Sequence, residues 1–324
     1  MTFTIGVDLG GTKTAVGLVA ADGSVSHRMT APTPAAAGPE AILQTIVDLA
    51  SHLTAAVPDA VIAGCGIGAA GVIDPVSRTV RFATNSLPGW TGTRLGAEIE
   101  RRLGMPVATV NDVHAHALGE AVYGAGRGES TVLVIAAGTG IGGALVIDGV
   151  LQAGRHGAAG HYGHLPAAEA AGLECTCGGV GHLEVIASGP AIRQAYLRRG
   201  GAVPRDSQEI FARADAGDAL ATDVIFVAAS ALGRTIGGLI NSVDPDVVIV
   251  GGGLAAAGPR WWNVVESQAR TEAMGLMAGC RIVPTALGAD SAIVGAASLI
   301  AKVGRVPHQA RSTPHNSHRE RNSI

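Results

Sequence analysis

The chain has 324 residues, of which 47% are hydrophobic and 15% charged, with a net charge of −3. That length predicts two domains, and the apolar content is enough for two cores, which excludes a disordered chain. A slightly acidic balance with only 3% aromatic residues offers neither a broad basic surface nor stacking platforms, so no nucleic-acid partner is expected.

The N-terminal run Met1 to Asp8 has no basic segment followed by an apolar one, so it predicts a strand rather than a secretory signal. The most apolar window, Val224 to Ile240, contains Arg234 and falls short of a clean membrane span, so no membrane partner is expected. Four cysteines without a secretory signal point to a metal site more than to disulfides, in a cytoplasmic protein. Of the 23 basic residues only Lys13 and Lys302 are lysines, a bias read as codon usage.

In chain order, Thr4 to Asp8 predicts a strand, Gly10-Gly11-Thr12 a glycine turn and Thr14 to Ala20 a second strand, with Asp22-Gly23 as a hairpin turn. A Pro/Ala stretch from Ala31 to Pro39 leads into a helix over Glu40 to Ala56. Val61 to Gly68 and Pro106 to Val110 read as short buried strands. The second ends at Asn111-Asp112 and is followed by a helix from Val113 to Tyr123. About 128 positions after the first turn the unit returns: strand Val132 to Ala136, turn Gly138 to Gly143, strand Ala144 to Ile147, with Asp148-Gly149 after it. This is an internal duplication of a strand–turn–strand unit. Residues 150–185 are loop-rich. Helices follow over Pro190 to Leu197, Gln208 to Ala214 and Ala219 to Ile240. Val247 to Val250 reads as a buried parallel strand closing on Gly251-Gly252-Gly253, and Ser291 to Lys302 as a closing helix. The tail from Gly304 lacks periodicity and is expected to be disordered. The alternation makes the class α/β with two lobes.

Two stretches match G-x-G-x-x-G, Gly66 to Gly71 and Gly138 to Gly143. Neither opens a helix, so the dinucleotide fingerprint fails, and no Walker-type loop is present. A glycine turn between strands still lets backbone N–H groups close on an anion. Asp8, at the mouth of the first turn, suits Mg²⁺ held through water. Asp112, at the end of a buried strand, is placed to act as a general base toward a hydroxyl, the alternative being a helix cap. Asn111 beside it would hold a neighbouring hydroxyl. Between 156 and 184, His164, Cys175, Cys177 and His182 supply four nitrogen and sulfur donors for a closed, structural tetrahedral zinc site. His114 and His116, two apart on a helix, read as surface or packing residues, Cys65 and Cys280 as inert thiols, and Trp261-Trp262 as packing or an interface.

Asp8-Leu9-Gly10-Gly11-Thr12-Lys13, the Gly138 to Gly143 turn and Val250-Gly251-Gly252-Gly253 resemble the nucleotide-binding elements of ROK-family sugar kinases, over residues 4 to about 302 and in the same order. The resemblance implies a two-lobed actin-like/ribonuclease H-like α/β fold with duplicated phosphate elements. It implies that the first turn (Asp8, Gly10, Gly11, Thr12, Lys13) contacts the γ-phosphate region of ATP, the second (Gly138, Thr139, Gly140, Gly142) the inner phosphates, and Gly251, Gly252 and Gly253 the adenosine side. It also implies that Asp112 deprotonates a sugar 6-hydroxyl, with Asn111, His161, His164, Glu184, Gly71 and Asn85 around the sugar. The Cys175 to Glu184 run resembles the family's zinc segment, with His182 where a third Cys is usual. ROK glucokinases usually carry Glu at the position of His161. Bacterial N-acetylmannosamine kinases of the family are similar to this chain in their Gly-His-x-Gly-His run, here Gly160 to His164, which favours an N-acylated amino sugar over glucose. ROK repressors share these motifs but carry an added N-terminal DNA-binding domain, for which a turn beginning at residue 8 leaves no room. The resemblance further implies a homodimer, a smaller lobe of residues 1–113 plus about 287–303, and a larger lobe of 114–286 carrying the zinc site.

Overall fold

The computed structural model describes residues 1–84 and 86–303. The first part of the chain runs β1 (Thr2–Leu9), β2 (Lys13–Val19), β3 (Val25–Pro32), α1 (Pro39–Ala56), β4 (Val61–Ala69), a small hairpin β5 (Val72–Ile73) and β6 (Val80–Phe82), α2 (Leu95–Leu103) and β7 (Val107–Asn111). Then come α3 (Asp112–Tyr123), β8 (Thr131–Ala137), β9 (Ile141–Ile147) and β10 (Val150–Leu151). Four helices follow, α4 (Glu184–Ala187), α5 (Gly189–Arg198), α6 (Ser207–Asp215) and α7 (Ala219–Val243). The chain closes with β11 (Val247–Gly251), α8 (Pro259–Glu272), β12 (Arg281–Pro284), α9 (Ser291–Ser298) and α10 (Ile300–Val303).

Two five-stranded sheets form among the described residues, in the orders β3-β2-β1-β4-β7 and β10-β9-β8-β11-β12. Their centres repeat one design. β1 pairs antiparallel with β2 and parallel with β4, and β8 pairs antiparallel with β9 and parallel with β11. The duplication expected from the two glycine turns is therefore a duplication of whole sheets. Period-2 alternation in β1 sends Ile5, Val7 and Leu9 to an outer core with α1 and α2, where Ile42, Ile46, Leu95, Ile99 and Trp90 are also buried. Gly6 and Asp8 face the other way. In β8, Leu133 and Ile135 join a core with α7 and α8, while Val132 and Val134 pack with Ala117 and Leu118 of α3.

Between the sheets lies a layer of two helices, α3 and α9. Glycines set its thickness. A Cβ added at Gly6 or Gly66 would lie 2.1 Å from the Ile293 carbonyl oxygen or 1.9 Å from that of Ala296, so α9 rests its backbone on the first sheet. A Cβ on Gly119 of α3 or Gly295 of α9 would lie 2.0 Å from the Ser291 oxygen or 1.7 Å from that of Ala115. The two helices thus cross in backbone contact. Glu120, fully buried beside this crossing, accepts hydrogen bonds from the N–H groups of Ala125, Ala286 and Leu287 and from the Ser291 hydroxyl. Burial pushes its carboxyl up, but these bonds outweigh it and hold the pKa below the ordinary value.

The expected elements are present with shifted ends, and several departures have physical causes. The closing helix is two, α9 and α10, breaking at Leu299. Sequence reading missed β3, α2, α8 and β12; β3 is an edge strand exposed along much of its length, without clean alternation. The Val224 to Ile240 window belongs to α7, which is in fact long and apolar enough to cross a bilayer, but 61% of that stretch is buried inside the fold. Its hydropathy reflects a core helix between α6 and α8. Trp261 is buried against Phe211, and the Trp262 indole N–H donates to Ala255, so both are packing residues. The tail from residue 304 lies outside the described residues.

Gly295→Ala is expected to destabilise the chain by about 3 kcal/mol or to prevent folding, because a methyl there must displace backbone. Gly238→Ala, in α7 where an added Cβ meets nothing within 4 Å, is expected to stabilise it by about 0.5–1 kcal/mol. Urea midpoints of the two variants check both signs.

Candidate active site

Asp8 ends the inward face of β1, and Asp112 is the first residue of α3, beyond β4 and β7. Asp8 pairs in register with Gly68, which carries no side chain between the two carboxylates. Burial pushes Asp8 from 3.8 up to about 6; the Asp112 charge adds to this, and Lys13 and Arg28 oppose it. Burial also raises Asp112, against hydrogen bonds from the Val113 N–H and the Asn111 amide. A carboxylate raised both by burial and by a neighbouring carboxylate is suited to a divalent cation.

The helix cap is Asn111, not Asp112. The Asn111 Oδ1 accepts from the N–H groups of Val113 (3.0 Å) and His114 (3.3 Å), and its Nδ2 donates to the Gly71 carbonyl (2.9 Å) and to Asp112 Oδ1 (2.8 Å). Asp112 Oδ1 also accepts from its neighbour's N–H at 2.9 Å. Its Oδ2 has no hydrogen-bond partner among the described residues, so one oxygen is anchored and the other is free to take a proton. Gly71 has a φ of 106°, a conformation glycine adopts without strain, and this aims its carbonyl at Asn111.

Each glycine turn presents a pair of unpaired donors. The Gly10 N–H donates to Lys13 O and the Gly138 N–H to Gly140 O. The N–H groups of Gly11 and Thr12 in the first turn, and of Thr139 and Gly140 in the second, have no partner among the described residues. Such free N–H pairs are ready anion donors. Gly253 lies against the second turn: a Cβ on Gly138 would be 3.4 Å from its nitrogen. Gly138, Thr139 and Gly253 line a cavity of about 710 Å³ that runs over Phe211, Gln208 and Leu254. They also line an adjoining one of about 450 Å³ that holds Asn111, His114, His161, His164 and Glu184. Gly251 closes β11, with the Thr285 and His116 side chains where its Cβ would be. Gly142 pairs with Ala136 across the second turn.

His161 and Asn111 also line a smaller, partly apolar cavity of about 170 Å³ with Gly71, Phe82, Thr84 and Leu87. A Cβ on Gly11 would lie 3.4 Å from Ser86, which brings the first turn to this end. Asn85 lies outside the described residues. The His161 Nδ1 is 2.9 Å from the Ala158 carbonyl; a carbonyl only accepts, so Nδ1 carries a proton, and in the tautomer protonated there Nε2 is the acceptor. The Glu184 Oε2 accepts from the Ile141 N–H at 2.8 Å, tying the metal segment to the second turn.

His164 Nδ1 is 3.6 Å from Cys175 Sγ and His182 Nδ1 is 3.2 Å from Cys177 Sγ. All four ligand atoms lie within 4.8 Å of one another. A turn from Cys175 to Gly178 (Gly178 N–H to Cys175 O, 2.9 Å) sets the two thiols side by side. Two sulfurs and two imidazole nitrogens at this spacing fit zinc, which would take all four positions and act structurally. His164 also lines the central cavity, its remaining ring nitrogen free of the metal.

Of the two readings offered for His114, surface or packing, the structure bears out packing, since it is buried and hydrogen-bonded; sequence reasoning missed its carbonyl partner and the α6 wall of the large cavity. No motif marks that wall; the one signal is Phe211 in a chain with four phenylalanines.

Residues 4–303 match the ROK family model. The chain belongs to the ROK family of sugar kinases. It is 34% identical to the glucokinase of Thermotoga maritima over 310 residues, 91% of this chain and 96% of that enzyme. It is 36% identical to the N-acetylmannosamine kinase of Escherichia coli over 255 residues, 78% of this chain and 84% of that enzyme. A ROK family glucokinase from Streptomyces griseus, solved in complex with glucose and AMPPNP, superposes with a TM-score of 0.77 at 32% identity, covering 92% of this chain and 98% of that one. The two-lobed α/β kinase fold expected from the glycine turns is thereby established.

Two measurements probe the charged parts of the site. A carboxyl whose pKa is higher folded than unfolded destabilises the fold at neutral pH, and the penalty disappears as pH falls below the unfolded value. Asp8→Asn should therefore stabilise the ligand-free protein by roughly 1–2 kcal/mol at pH 8, after allowance for solvent screening. The gain should shrink through pH 6 and vanish below pH 4, as followed by urea unfolding. Cys177→Ser should reduce bound zinc, measured by elemental analysis, from about one ion per chain to a small fraction and lower the melting temperature. His182→Cys should instead hold zinc more tightly in chelator competition.

Proposed function

We propose that this chain transfers the γ-phosphoryl group of Mg·ATP to the 6-hydroxyl of an N-acylated hexosamine, N-acetylmannosamine foremost. The observation that carries the reaction is the free Oδ2 of Asp112, set beside Asp8 and within reach of two glycine turns with unpaired N–H groups. Asp112 Oδ2 takes the 6-hydroxyl proton as that oxygen attacks the γ-phosphorus. The bond from phosphorus to the β,γ-bridging oxygen breaks, ADP leaves, and Asp112 gives up its proton to water.

Gly11 and Thr12, with Lys13, hold the γ-phosphate end. Thr139 and Gly140 hold the inner phosphates, while adenosine lies in the large cavity beside Gly251, Gly252 and Gly253. Asp8 would hold Mg²⁺, which would supply charge neutralisation for the phosphates and a counter-charge for the raised Asp8 carboxyl. Zinc at His164, Cys175, Cys177 and His182 would fix the loop that carries the sugar-facing histidines. Both amide protons of Asn111 are engaged, so its part is to orient Asp112, and a sugar hydroxyl reaches it only by replacing one of those bonds. Residues 1–113 with 287–303, and 114–286, would move as two lobes about α3 and α9. The enzyme would work in the cytoplasm as a homodimer.

His161 supports the amino sugar. Its Nε2 accepts one hydrogen bond at a neutral atom, which suits a single N–H or O–H, whereas a Glu there would accept from two hydroxyls and carry charge. Glucose is the second reading, favoured by the 34% identity to a glucokinase across 91% of this chain.

ADP release over N-acetylmannosamine, N-acetylglucosamine, glucose and mannose decides the sugar; a preference for glucose with negligible N-acetylmannosamine turnover would overturn the first reading. Asp112→Asn should lower kcat by about 10³-fold or more with sugar binding retained, and near-normal turnover in that variant would remove Asp112 as the base. His161→Glu should move preference toward glucose.

A further inference from the structure

The side chain of His114 is 2% exposed, two residues after Asp112 on α3 and on the wall of the central cavity. Its Nε2 stands 2.7 Å from the Ala159 carbonyl oxygen. That oxygen only accepts, so Nε2 carries a proton and donates. Burial lowers the His114 pKa, against the Ala159 bond, which raises it, and the ring is neutral at pH 7. The next carbonyl back, Ala158, accepts from the ring of His161. Two adjacent peptide carbonyls are thus each claimed by an imidazole, one reaching out from the catalytic helix and one reading the sugar.

The rest of the loop leaves little other attachment at this point. The Ala159 N–H donates to the Ala153 carbonyl at 3.0 Å, within the loop itself. Gly160 turns with a φ of 89°, and a Cβ there would lie 2.0 Å from the Gly143 oxygen, so the loop is seated on β9 just after the pair. Losing the His114 bond would leave a partly buried carbonyl without its donor and free the Ala158–Ala159 peptides to rotate. The Nδ1–H to Ala158 bond, which fixes the tautomer of His161, would go with it.

We infer that His114 is a positioning residue that holds the 158–161 loop in register with the start of α3, and so sets the His161 acceptor against the sugar. The inference rests on the sugar-kinase reading for its effect on KM, but not for its effect on His161 itself. Its consequence is that sugar selectivity depends on a residue that need not touch the sugar.

The test compares His114→Ala with His114→Gln, which keeps an N–H donor of similar reach. In the ligand-free, zinc-loaded protein, ¹⁵N NMR of the His161 ring should show one tautomer, protonated at Nδ1, in the parent and in His114→Gln. It should show an exchanging mixture in His114→Ala. With Mg·ATP, His114→Ala should raise the KM for the preferred sugar roughly tenfold, the loss of about one buried hydrogen bond, with the KM for ATP within twofold and kcat much less affected. An unchanged His161 tautomer and sugar KM in His114→Ala would overturn the inference. So would parallel losses in sugar KM, ATP KM, kcat and melting temperature that Gln does not restore, since that pattern marks a merely structural residue. If His114→Ala does not fold, His114→Gln decides: retention of the His161 tautomer with sugar KM within threefold supports the role, and loss of either removes it. If the parent turns over no sugar at all, the kinase reading fails while the NMR comparison still judges the positioning.

Discussion

The contact on which this structure depends is the backbone-to-backbone crossing of α3 and α9 between the two sheets. Gly119 and Gly295 let the helices approach until an added Cβ would sit about 2 Å from carbonyl oxygens, and Gly6 and Gly66 let α9 lie on the first sheet in the same way. Glu120 then ties α3 to the segment that enters α9 through the Ala286 and Leu287 N–H groups and the Ser291 hydroxyl. A layer this thin and this rigid leaves α3 no freedom of register. Asp112, Asn111 and His114 all lie within the first turn or its cap, so their positions follow from the crossing rather than from the loops around the cavity. Close packing of this kind transmits displacement instead of absorbing it, which suits an axis between two lobes.

The site built on that frame is electrostatically incomplete. Burial raises the pKa of both Asp8 and Asp112, and the Asp112 charge raises Asp8 further, while four backbone N–H groups on the two turns lack partners among the described residues. The raised carboxylates are a cost to the ligand-free fold, whereas the N–H groups sit on the half-exposed Gly11 and the exposed Thr12, Thr139 and Gly140 and are open to water. A magnesium-bound polyphosphate supplies both complements at once, cation to the carboxylates and anionic oxygens to the N–H groups. Binding energy is therefore available where charge develops during phosphoryl transfer, which is where it accelerates the reaction. The turn glycines also admit close neighbours: a Cβ on Gly140 would stand 2.8 Å from Glu184 Oε2 and one on Gly11 3.4 Å from Ser86.

Legibility in the sequence followed the range of the interaction that fixes each residue. Strand–turn–strand units, the Asn111-Asp112 pair and the Cys175–His182 spacing are local patterns, and they were visible because a few neighbouring residues determine them. The two thiols are set side by side by a turn only four residues long, and each histidine lies within 11 positions of its nearer thiol. Cap assignment between Asn111 and Asp112 was not legible, because either residue type fits and the choice depends on the Gly71 carbonyl, 40 positions away. The partner of His114 was hidden for a similar reason: a histidine two residues from another on a helix carries no pattern, and its role exists only through a carbonyl 45 positions later. The α6 wall of the large cavity is likewise an ordinary capped helix with no motif of its own. Edge strand β3, paired on one side and exposed on many positions, lacks the alternation by which strands are recognised.

Sugar choice and phosphate binding are not separate modules in this architecture. The segment 156–184 carries His161, both metal-site histidines and Glu184, and Glu184 spends one oxygen on the Ile141 N–H of the second glycine turn. His114 attaches the front of the same segment to α3. The metal segment is thereby tied to the second glycine turn through Glu184 and to α3 through His114. Two thiolates and two imidazoles would leave a bound Zn²⁺ formally neutral, so its effect on the cavity would be one of geometry rather than net charge: it would fix a segment that hydrogen bonds already hold at α3 and at the second turn.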